Sequence, residues 1–381
     1  MTKPLEGLLV LDFSLFLAGP LCALRLADLG ARVIKIERPD GGDLCRQLYI
    51  NDLRLDNDSM LFHTINRGKE SFAANLKDPA DLARVRKLLS RADVMISNFR
   101  PGVMNRLGLD PSSCLKLNPR LVCGTISGYG ADGPWAEKPG QDLLAQAVSG
   151  VMWLSGNDGD APTAMGLSVA DMFAGHFLCQ GILAQLVRRS ITGTGGTVET
   201  SLLESLLDFQ FEVLTTHLND GGRLPARSAI GNGHAYLGAP YGVYATADGW
   251  LAIAMNPLEK LAPLLGGPEL ATTSRSDTFS RRDELKSRLA AALATRRTAE
   301  WLSVLEPADV WCAEVFDWPR LVQHQAFRVL RMTQSITRST GSTFTALRSP
   351  LRLDEELSFN DRPSPEIGEH TGAIRREYGI D

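Results

Sequence analysis

Short apolar runs alternate with helical-period segments through the first third of the chain. Leu8-Leu-Val-Leu-Asp-Phe13 is almost continuously apolar, the pattern of a strand covered on both faces. Gly19-Pro20 opens a helical stretch through Asp28, Gly30 ends it, and Val33-Ile-Lys-Ile-Glu37 predicts a second strand. Val94-Met-Ile-Ser-Asn98 and Leu121-Val-Cys-Gly-Thr-Ile126 repeat the strand pattern, with a helical segment over 78–92 between strand candidates. Such a β-α-β order predicts an α/β fold with a parallel, doubly wound sheet, whose ligands gather at the carboxyl ends of the strands.

The texture changes near residue 226. Tyr241 to Met255 contains two strand-like runs about an Asp248-Gly249 turn, followed by helical 282–294 and 298–305 and a short apolar run over 310–315. This predicts a smaller α/β domain over 226–330, a large domain over 1–200, a linker over 201–225 and a return segment over 331–381.

Composition narrows the function. The chain has 381 residues and a formal net charge of −4, so it presents no basic field for a nucleic acid. No stretch approaches the ~18 apolar residues of a membrane span, and Met-Thr-Lys-Pro-Leu-Glu-Gly lacks a signal pattern, so a cytoplasmic protein without membrane association is expected. Six cysteines without a CxxC pair fit a reducing compartment, and Cys22, Cys123 and Cys179 lie in apolar runs as buried thiols do. The six histidines show no metal-ligand spacing, so no metal is expected.

One carboxylate stands out. Asp171 lies in the small, apolar stretch Gly166-Leu-Ser-Val-Ala-Asp-Met-Phe-Ala-Gly175, just ahead of Phe173, Phe177, Leu178, Ile182, Leu183, Leu186 and Val187 at helical spacing. It falls at or near a helix N-terminus, where it is either a capping residue or an available nucleophile. A dinucleotide site is the other chemistry that the opening suggests, with Glu37 on the ribose. It fails on the glycines, because the turn reads Ser14-Leu-Phe-Leu-Ala-Gly-Pro20 where a pyrophosphate turn needs G-x-G-x-x-G.

The chain resembles class III CoA-transferases, the family of formyl-CoA transferase and of relatives acting on carnitine, bile acids and oxalate, with α-methylacyl-CoA racemase as an offshoot. The resemblance rests on an ordered set of blocks spanning nearly the whole chain. They are Leu17-Ala-Gly-Pro20, residues 26–39, Asn66-Arg-Gly-Lys69, Asn98-Phe-Arg-Pro-Gly102, Ser127-Gly-Tyr-Gly130, residues 142–150, Asp171-x-x-x-Gly175 and Gly368-Glu-His-Thr371. It implies a large doubly wound, Rossmann-like domain plus a smaller α/β domain in an interlocked-ring homodimer. It further implies Asp171 as nucleophile, an acyl-CoA donor, a small carboxylate acceptor and coenzyme A as co-substrate. CoA contacts are carried by resemblance onto Leu17, Ala18, Arg38, Ala74, Asn75, Leu76, Lys77, Asn98, Phe99, Arg100 and Arg106. The glycine-rich run 231–238 reads either as a lid with oxyanion donors or as a surface turn.

Two positions depart from relatives. Where the racemase branch has histidine, this chain has Gln141, which is no base near neutral pH but can hydrogen-bond a carboxylate or anhydride oxygen. Leu17 replaces the glutamine of formyl-CoA transferase, which favours a less polar acyl group. An acyl-CoA racemase or isomerase and a non-catalytic CoA-binding protein stay open as alternatives.

Overall fold

The first strand is apolar on both faces because both faces are covered. In β1 (Leu9–Asp12), Val10 packs with one buried cluster and Leu9 and Leu11 with another. The same period-two division runs through β2 (Arg32–Glu37), where Val33 faces the first cluster and Ile34 and Ile36 the second. The computed structural model describes residues 3–267, 270, 274 and 276–380. With β3 (Lys69–Ala73), β4 (Val94–Ser97), β5 (Val122–Ser127) and β6 (Gly196–Ser201), these strands form a six-stranded parallel sheet in the order β3-β2-β1-β4-β5-β6. The direction of winding reverses between β1 and β4, the place where doubly wound sheets leave a crevice.

Helices α1 (Ala18–Asp28), α2 (Pro79–Leu89), α3 (Val103–Leu107), α4 (Asp142–Ser149) and α5 (Val169–Thr192) follow in chain order. Asp78 caps α2 by accepting from Ala80 N and Asp81 N at 2.9 and 3.0 Å. The stripe that α5 buries is Ala170, Ala174, Leu178 and Ile182, whereas Val187, expected on the apolar face, is exposed. Small residues on this stripe let α5 lie close to α1. A Cβ at Gly175 would stand 2.6 Å from the Ala18 carbonyl oxygen, so glycine is required at that crossing.

Charges are buried at the carboxyl ends of β1 and β2. Asp12, Lys35, Asp43 and Lys69 are all essentially inaccessible. Lys69 Nζ lies 2.8 Å from Asp12 Oδ2 and also donates to Pro20 O and Asn66 Oδ1 at 2.9 Å each. Lys35 Nζ lies 2.8 Å from Asp43 Oδ2 and donates to Ser14 O at 2.7 Å. Burial alone would raise the Asp12 carboxyl, but Lys35 and then Lys69 outweigh it and hold it below the usual carboxylate range. Burial draws Lys69 down to about 8 against the pull of Asp12.

The chain divides into two compact units, Met1–Ala145 with Ser168–Phe209 and Val329–Asp381, and Gln146–Leu167 with Gln210–Arg328. These bounds differ from the sequence expectation in two places. The span 201–225, expected as linker, is largely helical, as Leu202–Phe209 and Phe211–Asn219. Residues 146–167, expected with the large domain, group with the second unit. That unit has an antiparallel sheet of β7 (Gly242–Ala245), β8 (Trp250–Ile253) and β9 (Cys312–Glu314). The helix Arg282–Leu293 buries Leu285 and Leu289 in the same cluster as Leu251 and Ile253, and Thr298–Leu305 adds Trp301. The first unit also carries an unexpected hairpin, β10 (Thr333–Thr337) and β11 (Thr343–Leu347). Among the described residues no helix is long and apolar enough to cross a membrane.

The buried charges generate a stability prediction. Asp12→Ala leaves Lys35 and Lys69 facing each other without a shared anion, and should cost about 3–5 kcal/mol in urea unfolding. Pairing Asp12→Asn with Lys69→Met should recover part of that loss, whereas additive losses would show that the pair is not coupled.

Candidate active site

The residues after β1, β2, β3 and β4 enclose a cavity of about 670 Å³. Seven of the residues assigned to CoA by resemblance line it: Arg38, Ala74, Asn75, Leu76, Lys77, Phe99 and Arg106. Phe13, Leu15, Ile36, Leu82, Val103 and Leu107 supply apolar wall. Arg38, Lys77 and Arg106 are exposed and their side chains make no hydrogen bond or ion pair among the described residues. Three uncommitted cations around an apolar cleft suit a ligand with phosphates and a long arm.

Four expected contacts lie outside the cavity lining. Ala18 is buried in the α1–α5 crossing, Leu17 packs against Cys45, Phe62 and Ile65, and Arg100 is exposed. Asn98 closes the crevice instead. Its amide accepts from Leu15 N at 2.8 Å and donates to Leu15 O at 2.7 Å, tying the β4 end to the β1 turn. Glu37 lines the cavity, but its oxygens are engaged by Arg46 at 2.8 and 2.9 Å and by Ser71 Oγ at 2.7 Å. A ribose hydroxyl would have to break a buried ion pair to reach it, a second argument against a dinucleotide.

Asp171 is the third residue of α5 and is half-buried. Its own carboxylate is not the cap. Asp142, at the start of α4, accepts from Ala170 N at 2.7 Å and from Asp171 N at 3.2 Å through one oxygen, satisfying two of the free amides of the α5 N-terminus. Asp142 is held there by a close approach behind it. A Cβ at Gly128 would lie 2.5 Å from the Gly140 Cα, so the chain after β5 and the chain entering α4 touch backbone to backbone. Burial raises the Asp171 carboxyl, and the neighbouring Asp142 carboxylate raises it further, to about 7. The helix dipole opposes this by only about 0.3–1 kcal/mol.

Gln141 is exposed and sits at the head of α4, its carbonyl accepting from Ala145 N at 3.0 Å. As Asp142's chain neighbour it stands beside the α5 N-terminus with its amide unspent among the described residues. His176, close to Asp171 in sequence, is exposed and its Nδ1 lies 2.7 Å from Met172 O. The run 231–238 is fastened within the second unit, since Lys286 Nζ donates to Gly231 O at 3.0 Å and Asn232 Nδ2 donates to Gly156 O at 2.9 Å. Among the described residues no cluster of His, Cys, Asp and Glu could hold a metal ion. Asp142 is the residue that sequence reasoning named without a role. Its contact with α5 spans 28 positions, and no local spacing signals it.

Comparison with known proteins places this geometry in context. A family model described as CoA-transferase family III matches residues 5–371. The chain is 35% identical over 386 residues to the acetyl-CoA:oxalate CoA-transferase of Acetobacter aceti, covering 98% of this chain and 96% of that one. It is 32% identical over 389 residues to the succinate–glutarate CoA-transferase of Agrobacterium fabrum, covering 98% and 95% respectively. A solved structure of a CaiB/BaiF family protein from Brucella suis matches with a TM-score of 0.83 at 31% identity, over 99% of this chain and 100% of that one.

The raised Asp171 carboxyl predicts a pH-dependent stability. The folded chain holds this proton more tightly than the unfolded one, so the associated stability is complete below about pH 4. It is lost as pH rises through about 7. Asp171→Asn removes the loss and should raise Tm at pH 8 by about 2–4 °C, with no gain at pH 4. An equal gain at both values would place its origin elsewhere.

Proposed function

This chain belongs to CoA-transferase family III and is an enzyme of that type, and from that premise we propose that Asp171 is its covalent nucleophile. The observation that carries the reading is a half-buried carboxylate at a helix N-terminus that is relieved of capping duty by Asp142. An Asp171 oxygen attacks the donor thioester carbonyl, the C–S bond breaks, and CoA thiolate leaves an acyl–aspartyl anhydride. Thiolate then attacks the aspartyl carbonyl, expelling the donor carboxylate and leaving an aspartyl–CoA thioester. The acceptor carboxylate attacks that thioester to form a second anhydride. CoA thiolate takes the acceptor acyl group from it and frees Asp171. Every intermediate is an activated acyl group, so the thioester's energy is kept without ATP.

The remaining roles follow from position. Arg38, Lys77 and Arg106 neutralise the CoA phosphates, and the segments 74–77 and 98–100 with the Leu17–Ala18 turn carry the arm toward α5. Gln141 donates its amide to the anhydride or to the acceptor carboxylate. It has no proton-accepting nitrogen, which argues against α-proton exchange. Asp142 acts as a positioning residue, through the α5 amides and through its charge.

Kinetics separate these roles. Asp171→Ala should lower CoA exchange by at least about 10⁴-fold while leaving CoA affinity within about tenfold. Gln141→Ala should lower kcat by about 1–3 kcal/mol in barrier terms, and Arg106→Ala should raise KM for the donor with less effect on kcat. The wild-type rate should fall as Asp171 takes up its proton below about pH 7. Hydroxylamine added with donor should convert Asp171 to its hydroxamate, and modification of another carboxylate would move the site.

The homodimer of threaded subunits is what the family resemblance implies, and surface chemistry supports a covering partner. The helix Phe211–Asn219 buries none of its residues within the chain, although Phe211 is 66% and Leu218 72% exposed. Ile191 on α5 is 81% exposed. Apolar side chains at this density call for a covering partner. Light scattering at nanomolar concentration, read beside circular dichroism in denaturant, should give no folded monomer. A helical monomer on dilution would refute the threaded arrangement.

A further inference from the structure

Two thiols meet where the helix after the cavity turn crosses the helix that bears Asp171. Helices α1 and α5 each lead directly into a strand of the one parallel sheet, β2 and β6, and fold back antiparallel to it, so they point the same way. Gly175 meets Ala18 at their crossing, and four residues on along each helix stand Cys179 and Cys22, one turn further. Both belong to one buried cluster, and the Cys22 thiol hydrogen-bonds the Cys179 sulfur. Packed helices ordinarily keep about 8–10 Å between their axes. A disulfide needs Cα atoms within about 7 Å, which a crossing lined by glycine and alanine allows.

The two sulfurs are not equivalent. Cys22 is fully buried, and burial pushes its thiol well up. Cys179 keeps 7% of its surface open. The hydrogen bond that Cys22 donates draws the Cys179 thiol below its ordinary value despite burial, and the Arg25 guanidinium, three residues on from Cys22, adds to the effect. The other cysteines behave in the opposite way. Burial pushes Cys45 and Cys123 up to about 12 and Cys114 up to about 11, and it raises Cys312 as well. One sulfur that favours the thiolate, beside one that stays protonated, is the division of labour that a peroxide-reactive pair requires.

We propose that Cys22 and Cys179 form a peroxide-responsive dithiol, whose closure to a disulfide ties α1 to α5 and slows transfer. The Cys179 thiolate attacks a peroxide oxygen and the O–O bond breaks. The departing hydroxide takes up the proton that Cys179 released, leaving a sulfenic acid and one water. The Cys22 sulfur then attacks the sulfenic sulfur, the S–O bond breaks, and the hydroxide leaves with the Cys22 proton as a second water. The two thiols lose two electrons in all, and the peroxide is reduced to two waters. Closing the bond draws the helices together one turn from Gly175, where the backbones already touch. The adjustment falls on the Ala18 carbonyl, and so on the turn whose Leu15 lines the cavity, and on the first turns of α5. The bond is independent of the role proposed for Asp171, whereas its effect on rate rests on that reading.

The test treats the reduced, full-length protein with a slight excess of hydrogen peroxide. Titration in denaturant should then find two of the six thiols lost. Digestion without reductant should release the Cys22 and Cys179 peptides joined by a bond that dithiothreitol cleaves. CoA exchange should fall by at least about fivefold in step with that bond and return with dithiothreitol. Cys22→Ser keeps a hydroxyl donor for Cys179 but cannot resolve it, so dimedone should label Cys179 and no linked peptide should form. Cys179→Ala, a second variant should the first fold poorly, should give neither label nor link. Six thiols persisting after peroxide, a link through any other cysteine, or a bond that forms with exchange unchanged overturns the proposal. A reduced enzyme without CoA exchange overturns the transfer reading instead, and the linked peptide still decides the bond.

Discussion

The site depends on a knot of buried charge. Asp12 at the end of β1, Lys35 near the end of β2, Asp43 from the loop after it and Lys69 from the start of β3 meet where a doubly wound sheet must present irregular loops to its ligand. Loops are poor at holding a fixed shape, because their backbone groups have no ladder to join. Here the knot supplies the missing partners. Lys69 takes the Pro20 carbonyl in the first turn of α1, Lys35 takes the Ser14 carbonyl, and Asp43 takes the amides of Phe16 and Cys45. Each charge is thereby neutralised by its neighbour and also bonded to backbone, the condition under which ion pairs survive without water.

The carboxylates at the α5 N-terminus solve a different problem. A nucleophilic aspartate near neutral pH must be desolvated enough to be reactive yet ionised often enough to attack. Free amides at a helix N-terminus would stabilise the anion and blunt it. Asp142 occupies two of them, so they are not spent on the Asp171 carboxylate. The like charge of Asp142 adds to burial in raising Asp171 toward the working pH.

Much of this architecture was legible in the sequence wherever burial is hydrophobic. The runs at 8–13, 33–37, 94–98 and 121–126 announced strands within a residue or two of those observed, because apolar residues on both faces leave an unmistakable signal. The outer strands escaped notice. Lys69-Glu-Ser-Phe-Ala73 is buried as thoroughly as β1, but its lysine is sealed by Asp12 and its serine by Glu37, pairings to which hydropathy is blind. Gly196–Ser201 alternates with partly exposed residues at the opposite edge and reads as loop. At the site, the position of Asp171 near a helix start was readable from periodicity, but the role proposed for it came from resemblance. Asp142 was silent because its contact with α5 lies across the fold.

The turn from Phe13 to Ala18 shows why the cavity and the helix that carries Asp171 are not independent. Its beginning lines the cavity through Phe13 and Leu15, and its end touches α5 at Gly175. Between these points it is held by Asn98 from β4 and Asp43 from the loop after β2, so its shape reports the relative placement of three strands. A side chain at Gly175 would push against the Ala18 carbonyl, and that displacement would reach Leu15 through three rigid peptide units. The glycine that lets α5 approach α1 therefore also fixes how far the cavity stands from Asp171. The close backbone approach at Gly175 means that this crossing tolerates little variation.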